Sequence, residues 1–138
     1  MKEYDISDLG QFIGSRIKSV EFKPQVMGEI DSIFITLHDD SVLRLYDDGQ
    51  SCCEHRYMEV QSDLQWFENA MFLDAKVVSV HSTDEDDYGF TEVHVLNIFT
   101  SVGVIVVVNY NSHNGYYGGF SMRAFHYMPG EKKEKDSV

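Results

Sequence analysis

The sequence predicts an α+β fold in which a central, mostly antiparallel β-sheet carries two short helices. Residues 92–100 and 102–110 are apolar at successive positions, which is typical of central strands covered on both faces by helices or by another copy of the protein. Residues 32–46 alternate apolar and polar side chains on either side of a polar turn, which indicates a β-hairpin. The short segments 7–13 and 62–71 carry apolar residues at helical spacing.

The amino-terminal elements are predicted from their flanking residues. Ser7 or Asp8 is suited to cap the first helix, and Gly14 is suited to end it. Residues 16–23 alternate loosely and are followed by Pro24, which has no amide hydrogen to donate. Because proline is tolerated mainly at sheet edges, we expect this strand to be an edge strand.

Three further strands are predicted at residues 52–60, 76–80 and 120–127. Between them, residues 81–89 (HSTDEDDYG) contain four carboxylates. A calcium loop of the EF-hand type needs a distal glutamate at a fixed spacing, which this segment lacks. We therefore expect residues 81–89 to form a solvated hairpin tip.

The length of 138 residues fits one domain with a hydrophobic core of its own. We expect a single α+β domain over residues 1–128 and a flexible charged tail over residues 129–138. The chain has no run of about 18 apolar residues, so no membrane-spanning helix is predicted. The polar and acidic beginning (MKEYDISDLGQF) does not fit a signal peptide, which predicts a cytoplasmic protein.

The charge of the chain is strongly negative, with 11 Lys+Arg against 23 Asp+Glu and a net charge of −12. The phosphates of a nucleic-acid duplex would be repelled by this field, so duplex nucleic acid is not an expected partner. Arginine is scarce in such a chain, and an arginine inside the domain is a candidate for holding an anion. The four arginines are Arg16, Arg44, Arg56 and Arg123.

The sequence lacks the motifs of common enzymes, namely GxSxG, HExxH, GxxxxGK[ST] and GxGxxG. The six histidines show no metal-ligand spacing, and His94 within an apolar strand is best interpreted as a core residue. The adjacent Cys52 and Cys53 are poorly placed to bridge each other. A redox pair, or a cysteine nucleophile with His55, stays open as a minor alternative. We expect no catalysis, no cofactor and no metal.

Two segments offer binding chemistry instead. Within DDGQSCCEHRY, Arg56 lies on a strand that follows a tight turn, where it can hold an anion. The alternative is that Arg56 forms a surface ion pair with Glu54 or Glu59. Residues 109–120 (NYNSHNGYYGGF) combine glycines with amide and aromatic side chains that suit the binding of a nucleotide. The alternative is that this segment forms a hairpin with a type I′ turn. The candidate ligand-binding residues in and after this second segment are Asn109, Asn114, Tyr116, Tyr117 and Arg123.

The same segments carry a resemblance to a known family. DDGQSCCEHRY, the apolar strand pair containing NIFT and VVN, and HNGYYGGF resemble the first type of Thoeris anti-defence proteins. Members of that family are phage-encoded sponges that sequester the cyclic ADP-ribose isomers made by bacterial TIR-domain enzymes. Some members also hold the cyclic oligonucleotides of CBASS systems. The resemblance covers roughly residues 15–127.

The resemblance implies a central antiparallel sheet, dimers that assemble into a larger oligomer, and ligand sites at subunit interfaces. It also implies that the ligand is held without being cleaved. The family uses two arginines, an aromatic residue and an asparagine, and the positions that fit their order are Arg56, Phe99, Asn109 and Arg123.

The function predicted from these observations is sequestration of a cyclic nucleotide immune signal in the cytoplasm of an infected bacterial host. The alternative is an acidic inhibitor that binds a basic cleft of a host defence protein. An enzyme that degrades the same signals is a third and weaker interpretation, because no nucleophile or metal site is evident in the sequence.

Overall fold

The fold is all-β, so the predicted α+β class is wrong. The computed structural model describes residues 1–24, 30–49, 54–86, 89–113 and 119–131. Strands make up 64% of these residues, and the described ranges contain no α-helix. The helical spacing in the sequence corresponds to two single turns of 3-10 helix.

Nine strands are described: β1 (Lys2–Asp5), β2 (Ile17–Lys23), β3 (Ser32–Leu37), β4 (Val42–Asp47), β5 (Glu54–Val60), β6 (Phe72–Asp86), β7 (Gly89–Thr100), β8 (Gly103–His113) and β9 (Met122–Tyr127). They form two antiparallel sheets rather than the single sheet predicted. The first sheet has the order β1-β9-β4-β3-β2, and the second has the order β5-β8-β7-β6.

The first predicted helix is reduced to one 3-10 turn, Gly10–Phe12. Gly14 follows with φ of 88°, a left-handed conformation that ends the turn. The Gly14 amide then donates a hydrogen bond of 2.7 Å to the Phe72 carbonyl at the start of β6. Short helices are marginally stable, so this long-range backbone pairing prevails over the helical spacing.

The second predicted helix is likewise one 3-10 turn, Leu64–Phe67, which the Asp63 side chain caps. Asn69 has φ of 69°, and its amide donates to the Ile17 carbonyl at 2.8 Å. These contacts turn the chain out of the helix and direct it into β6.

A shared hydrophobic core lies between the inner faces of the two sheets. Strand β4 shows how one strand serves two surfaces, because Leu43 and Leu45 face this core while Val42 and Tyr46 belong to a second cluster on the outer face. The residues of the shared core that are fully buried are Ile17, Ile33, Ile35, Leu43, Leu45, Phe72, Leu96, Ile98, Ile105, Val107 and Ala124.

Several strand predictions are confirmed. The hairpin of β3 and β4 forms as expected, β2 is an edge strand, and β7 and β8 are the two central strands of the second sheet. The predicted tip at residues 81–89 is wrong, because pairing of β6 with β7 continues as far as Asp86 opposite Gly89. Strand β1 was not predicted. Of the predicted tail, residues 132–138 lie outside the described ranges, and Glu131 closes a turn on Met128.

Candidate functional site

The inner face of the second sheet changes from apolar to polar toward one end. Residues on neighbouring strands stand in rows across β5, β8 and β7, and the apolar row is Val60, Val107 and Leu96. The next row is Met58, Asn109 and His94, and the row after it is Arg56, Asn111 and Glu92. We call these last two rows the polar end.

The hairpin between β7 and β8 fixes the register of these rows. Thr100 pairs with Gly103, and the Thr100 hydroxyl donates to the Gly103 carbonyl at 2.7 Å while accepting from the Val102 amide at 3.2 Å. Gly103 has φ of 143°, a conformation that favours glycine. A register fixed at the turn places every second residue of both strands on the same face, so Asn109 must stand opposite His94.

Arg56 lies at the centre of a buried ionic cluster that joins the two sheets. Its Nη1 donates to both carboxylate oxygens of Asp47 at 2.9 and 3.0 Å, and its Nη2 donates to Glu54 Oε2 at 3.0 Å. The side chains of Arg56, Asp47 and Glu54 are only 8%, 7% and 1% exposed. We call these three residues the clamp.

The charge state of the clamp follows from its contacts. Burial lowers the pKa of the Arg56 guanidinium, but the hydrogen bond to Glu54 and the charge of Asp47 outweigh burial and raise it. Arg56 therefore carries its positive charge at all physiological pH values. That charge is balanced by the carboxylates of Asp47 and Glu54. Glu54 is one of the two partners considered from the sequence, but the ion pair is buried and not at the surface.

The clamp also fixes the backbone on both sides. A Cβ atom on Gly49 would lie 2.2 Å from Arg56 Nη1, so no other residue fits beside the guanidinium without a shift. Asp47 Oδ1 accepts a further hydrogen bond of 2.7 Å from the Ser121 amide, which precedes β9. The arrangement explains why a glycine follows the two aspartates in the sequence DDG.

A second set of contacts links the clamp to the other segment singled out in the sequence. Asn111 Nδ2 donates to Glu54 Oε2 and to the Gly119 carbonyl, both at 3.0 Å. Glu92 Oε1 accepts from the Gly119 amide at 2.8 Å and lies 2.9 Å from His113 Nε2. The residues that flank 50–53 and 114–118 are thus held at one end of the molecule.

Asn109 is buried and incompletely hydrogen-bonded. Its side chain is 1% exposed, and Nδ2 donates to the carbonyls of His94 and Val107 at 3.1 and 3.4 Å. Its Oδ1 has no hydrogen-bond partner among the described residues, and the same holds for Asn111 Oδ1 and His94 Nδ1. Burial lowers the pKa of His94, which keeps its imidazole neutral. Unpaired buried acceptors are rare because each carries a desolvation cost.

A small pocket opens beside Asn109 and the clamp. Its volume is about 200 Å³, much of it open to solvent, and its enclosed part has room for about one water-sized group. Asp31, in its wall, accepts a hydrogen bond of 2.8 Å from the Met58 amide at the free edge of β5. The pocket is lined by Ile30, Asp31, Asp47, Arg56, Tyr57, Met58 and Asn109.

An aromatic surface adjoins the pocket on the outer face of β5. The rings of Tyr57 and Tyr110 stack with centroids 4.7 Å apart and an interplanar angle of 11°, and His55 lies 4.9 Å from Tyr57. Tyr57 is 36% exposed, so part of its side chain is accessible to a ligand. These residues were not predicted, although alternation in β5 places His55 and Tyr57 on one face and Tyr110 pairs with Tyr57 from β8.

The predicted ligand-binding residues are only partly brought together. Arg56 and Asn109 line the same pocket. Phe99 lies on the outer face of β7 beside the hairpin turn, five residues along the strand from His94, which is about 17 Å. Arg123 lies on β9 in the other sheet. Asn114, Tyr116 and Tyr117 lie outside the described residues.

Arg123 is also paired within the chain. Its Nε and Nη1 donate to Glu3 and Asp5 of β1, both at 3.3 Å, and its side chain is 30% exposed. Arg123 therefore stabilises the pairing of β1 with β9 at the surface and makes its ion pairs with β1 rather than with the clamp. Two of the arginines expected to hold an anion have carboxylate partners in the same chain.

Within the described ranges no group of three His, Cys, Asp or Glu side chains is arranged to hold a metal ion. The described residues include no helix that is long and apolar enough to cross a membrane.

Together these features define an all-β protein whose polar site lies where two sheets meet, with a buried ionic clamp beside a small pocket. The chain belongs to the family described as a domain of unknown function, DUF7448, whose family model matches residues 10–122. That range includes the clamp, the polar end and the pocket. No curated protein and no solved structure is significantly similar to the chain.

Proposed function

We propose that the protein is a non-catalytic binding protein that sequesters a small nucleotide signal at the pocket beside Arg56 and Asn109. The observation that carries this proposal is the meeting of Arg56 and Asn109 in one pocket, which Tyr57 also lines. A nucleotide offers a planar base for such a ring and hydrogen-bonding groups for such a pocket.

The ligand class in this proposal comes from the resemblance of the sequence to Thoeris anti-defence proteins. Cyclic ADP-ribose isomers are the first candidates, and cyclic oligonucleotides are the second. In this proposal the protein acts in the cytoplasm of an infected bacterium, and the ligand is released unchanged when the protein unfolds.

The proposal includes assembly of several copies. Capture at nanomolar concentration needs about −12 kcal/mol, which a pocket with room for one small group does not provide alone. A second copy can enclose the remainder of the ligand. The second sheet suits such a contact because its strands expose apolar side chains, namely Tyr57, Val77, Val78, Phe90 and Val104.

The proposal is tested by depletion and recovery. The purified protein is mixed with a panel of cyclic ADP-ribose isomers and cyclic di- and trinucleotides, and free ligand is measured by chromatography. The protein is then heat-denatured and the released material is identified by mass spectrometry. We expect depletion followed by recovery of the intact ligand. Altered products would indicate an enzyme, and no depletion of any compound would contradict the proposal.

A second candidate, an acidic inhibitor of a basic protein, is favoured by one observation. Arg56 and Arg123 are both paired with carboxylates of the same chain. The main electrostatic property that a partner protein meets is therefore the net charge of −12. The complex of such an inhibitor weakens steeply as salt screens the charges. Binding of a nucleotide in an enclosed site responds much less, so affinity measured at low and high salt separates the two functions.

A further inference from the structure

The pocket beside Asn109 is rich in hydrogen-bond acceptors and poor in available positive charge. Its wall contains the carboxylates of Asp31 and Asp47, and its one cation, Arg56, is held by Asp47 and Glu54. A phosphate group placed here would meet the carboxylates of Asp31 and Asp47. It would also compete with Asp47 and Glu54 for the guanidinium of Arg56. Displacing either partner would leave a buried carboxylate without its counter-ion, which is strongly unfavourable.

Asn109 lines the pocket and has one buried side-chain atom that is unpaired within the described ranges, and a partner for this atom would have to be a hydrogen-bond donor. Asn109 Oδ1 is buried and lacks a hydrogen-bond partner among the described residues, while Asn109 Nδ2 is already occupied by two carbonyls. The position of the amide is therefore fixed by the backbone of β7 and β8, and its oxygen is the atom left for a ligand. A hydroxyl or amino group satisfies this oxygen, and a phosphate oxygen cannot.

We propose that the pocket is a subsite for a hydrogen-bond donor of the ligand, such as a ribose hydroxyl, and that Arg56 positions its wall without binding phosphate. This inference rests on the proposed function for the nature of the ligand, and it names the part of the nucleotide that enters the pocket. The enclosed space, sufficient for about one water-sized group, matches a single hydroxyl. In this arrangement the base lies toward Tyr57 and the phosphates remain outside.

The test uses the full chain labelled with ¹⁵N and follows the side-chain amide signals of Asn109 by NMR. Three probes are titrated separately: adenosine, 2′,3′-dideoxyadenosine and inorganic pyrophosphate. We expect adenosine to shift the Asn109 signals and to bind at least tenfold more tightly than the dideoxy compound, because the latter lacks the 2′- and 3′-hydroxyl donors of the ribose. We expect pyrophosphate to leave the Asn109 signals unchanged.

Two variants control this experiment. Asn109→Leu removes the acceptor at similar volume and is expected to abolish the preference for adenosine over the dideoxy compound. Asn97→Leu removes another amide with an unpaired buried oxygen, on β7 outside the pocket, and is expected to preserve that preference. The titration of the unmodified chain decides the question even where a variant fails to fold.

The outcomes separate this inference from the proposed function. Equal binding of adenosine and the dideoxy compound, shifts caused by pyrophosphate, or no shift with any probe would overturn the donor subsite. Depletion of a cyclic nucleotide with unchanged Asn109 signals would leave the proposed function standing and would overturn the subsite alone. Binding of adenosine without depletion of any cyclic nucleotide would support the donor subsite and would contradict the proposed function.

Discussion

The substitution Arg56→Ala probes the buried clamp most directly. It removes the one cation from between the carboxylates of Asp47 and Glu54, which are 7% and 1% exposed. Removing one partner of a buried ion pair typically costs about 3–5 kcal/mol, because the remaining charge is left without compensation. A domain of this size has a total stability of roughly 5–15 kcal/mol, so the variant should lose about a fifth of it or more.

The loss is measured by urea unfolding followed by far-ultraviolet circular dichroism. Trp66 is largely exposed, so its fluorescence reports unfolding poorly. The matched control is Lys18→Ala, which breaks the Lys18–Asp40 pair whose side chains are 56% and 62% exposed. An exposed pair contributes at most about 1 kcal/mol, so the control should change the midpoint little.

A compensated variant distinguishes the charge effect from lost packing. In Arg56→Met combined with Asp47→Asn and Glu54→Gln, all three charges are removed at similar volume, so no buried charge is left unpaired. Replacing all members of a buried ion pair avoids the cost of an unpaired charge, and well-packed hydrophobic replacements are often close to neutral in stability. We expect the triple variant to be more stable than Arg56→Ala by at least about 1–2 kcal/mol. The reasoning is refuted if Arg56→Ala costs no more than Lys18→Ala, or if the triple variant is the less stable.

Three further predictions concern other parts of the same framework. Gly49→Ala should destabilise the protein by about 1–3 kcal/mol, because the added Cβ clashes with Arg56. Gly10→Ala is the control and should have little effect, because its Cβ meets no atom within 4 Å. Urea unfolding midpoints measure both changes. Arg123→Ala should cost no more than about 1 kcal/mol in the same assay because its ion pairs are partly exposed, and a larger loss would contradict a surface role. Burial lowers the folded-state pKa of His94 and His126 below the ordinary value of 6.5, so their contribution to stability is complete above that pH and is lost as the pH falls through the folded pKa. Unfolding free energies measured between about pH 5 and 8 should therefore decline toward acid, and a steeper decline in the double variant His94→Gln, His126→Gln would refute this account.

Eight of the nine described strands were predicted from the sequence, but their division into two sheets was not. Alternation in residues 32–46 and the apolar runs at 92–100 and 102–110 located two antiparallel pairings that depend on local turns. The pairing of β1 with β9 joins residues more than 100 positions apart, and no local pattern encodes it. The helical spacing in segments 7–13 and 62–71 was misleading because backbone pairing with distant strands decides their conformation.

The site was predicted in part, and the missed part had a recognisable signal. Arg56 and Asn109 were selected for their chemistry, and they do line one pocket. The signal that was overlooked is the run of polar residues at every second position at one end of each strand: Glu54 and Arg56 in β5, Glu92 and His94 in β7, and Asn109, Asn111 and His113 in β8. Once the turn between β7 and β8 is placed, the register brings these residues into rows. The carboxylate partners of Arg56 could not be chosen from the sequence because Asp47 belongs to the other sheet.

The clamp determines how any loss of binding must be interpreted. Residues 50–53 are flanked by Glu54, and residues 114–118 by His113 and Gly119, all of which belong to one hydrogen-bonded network with Arg56. A variant of Arg56 changes the anchor of both segments at once, so weaker ligand capture by Arg56→Ala does not establish that the guanidinium contacts the ligand. Asn109 differs in this respect, because its hydrogen bonds lie within β7 and β8 and outside the clamp. Binding measured on Asn109 variants therefore reports on contact, whereas binding measured on Arg56 variants reports on the architecture that makes contact possible.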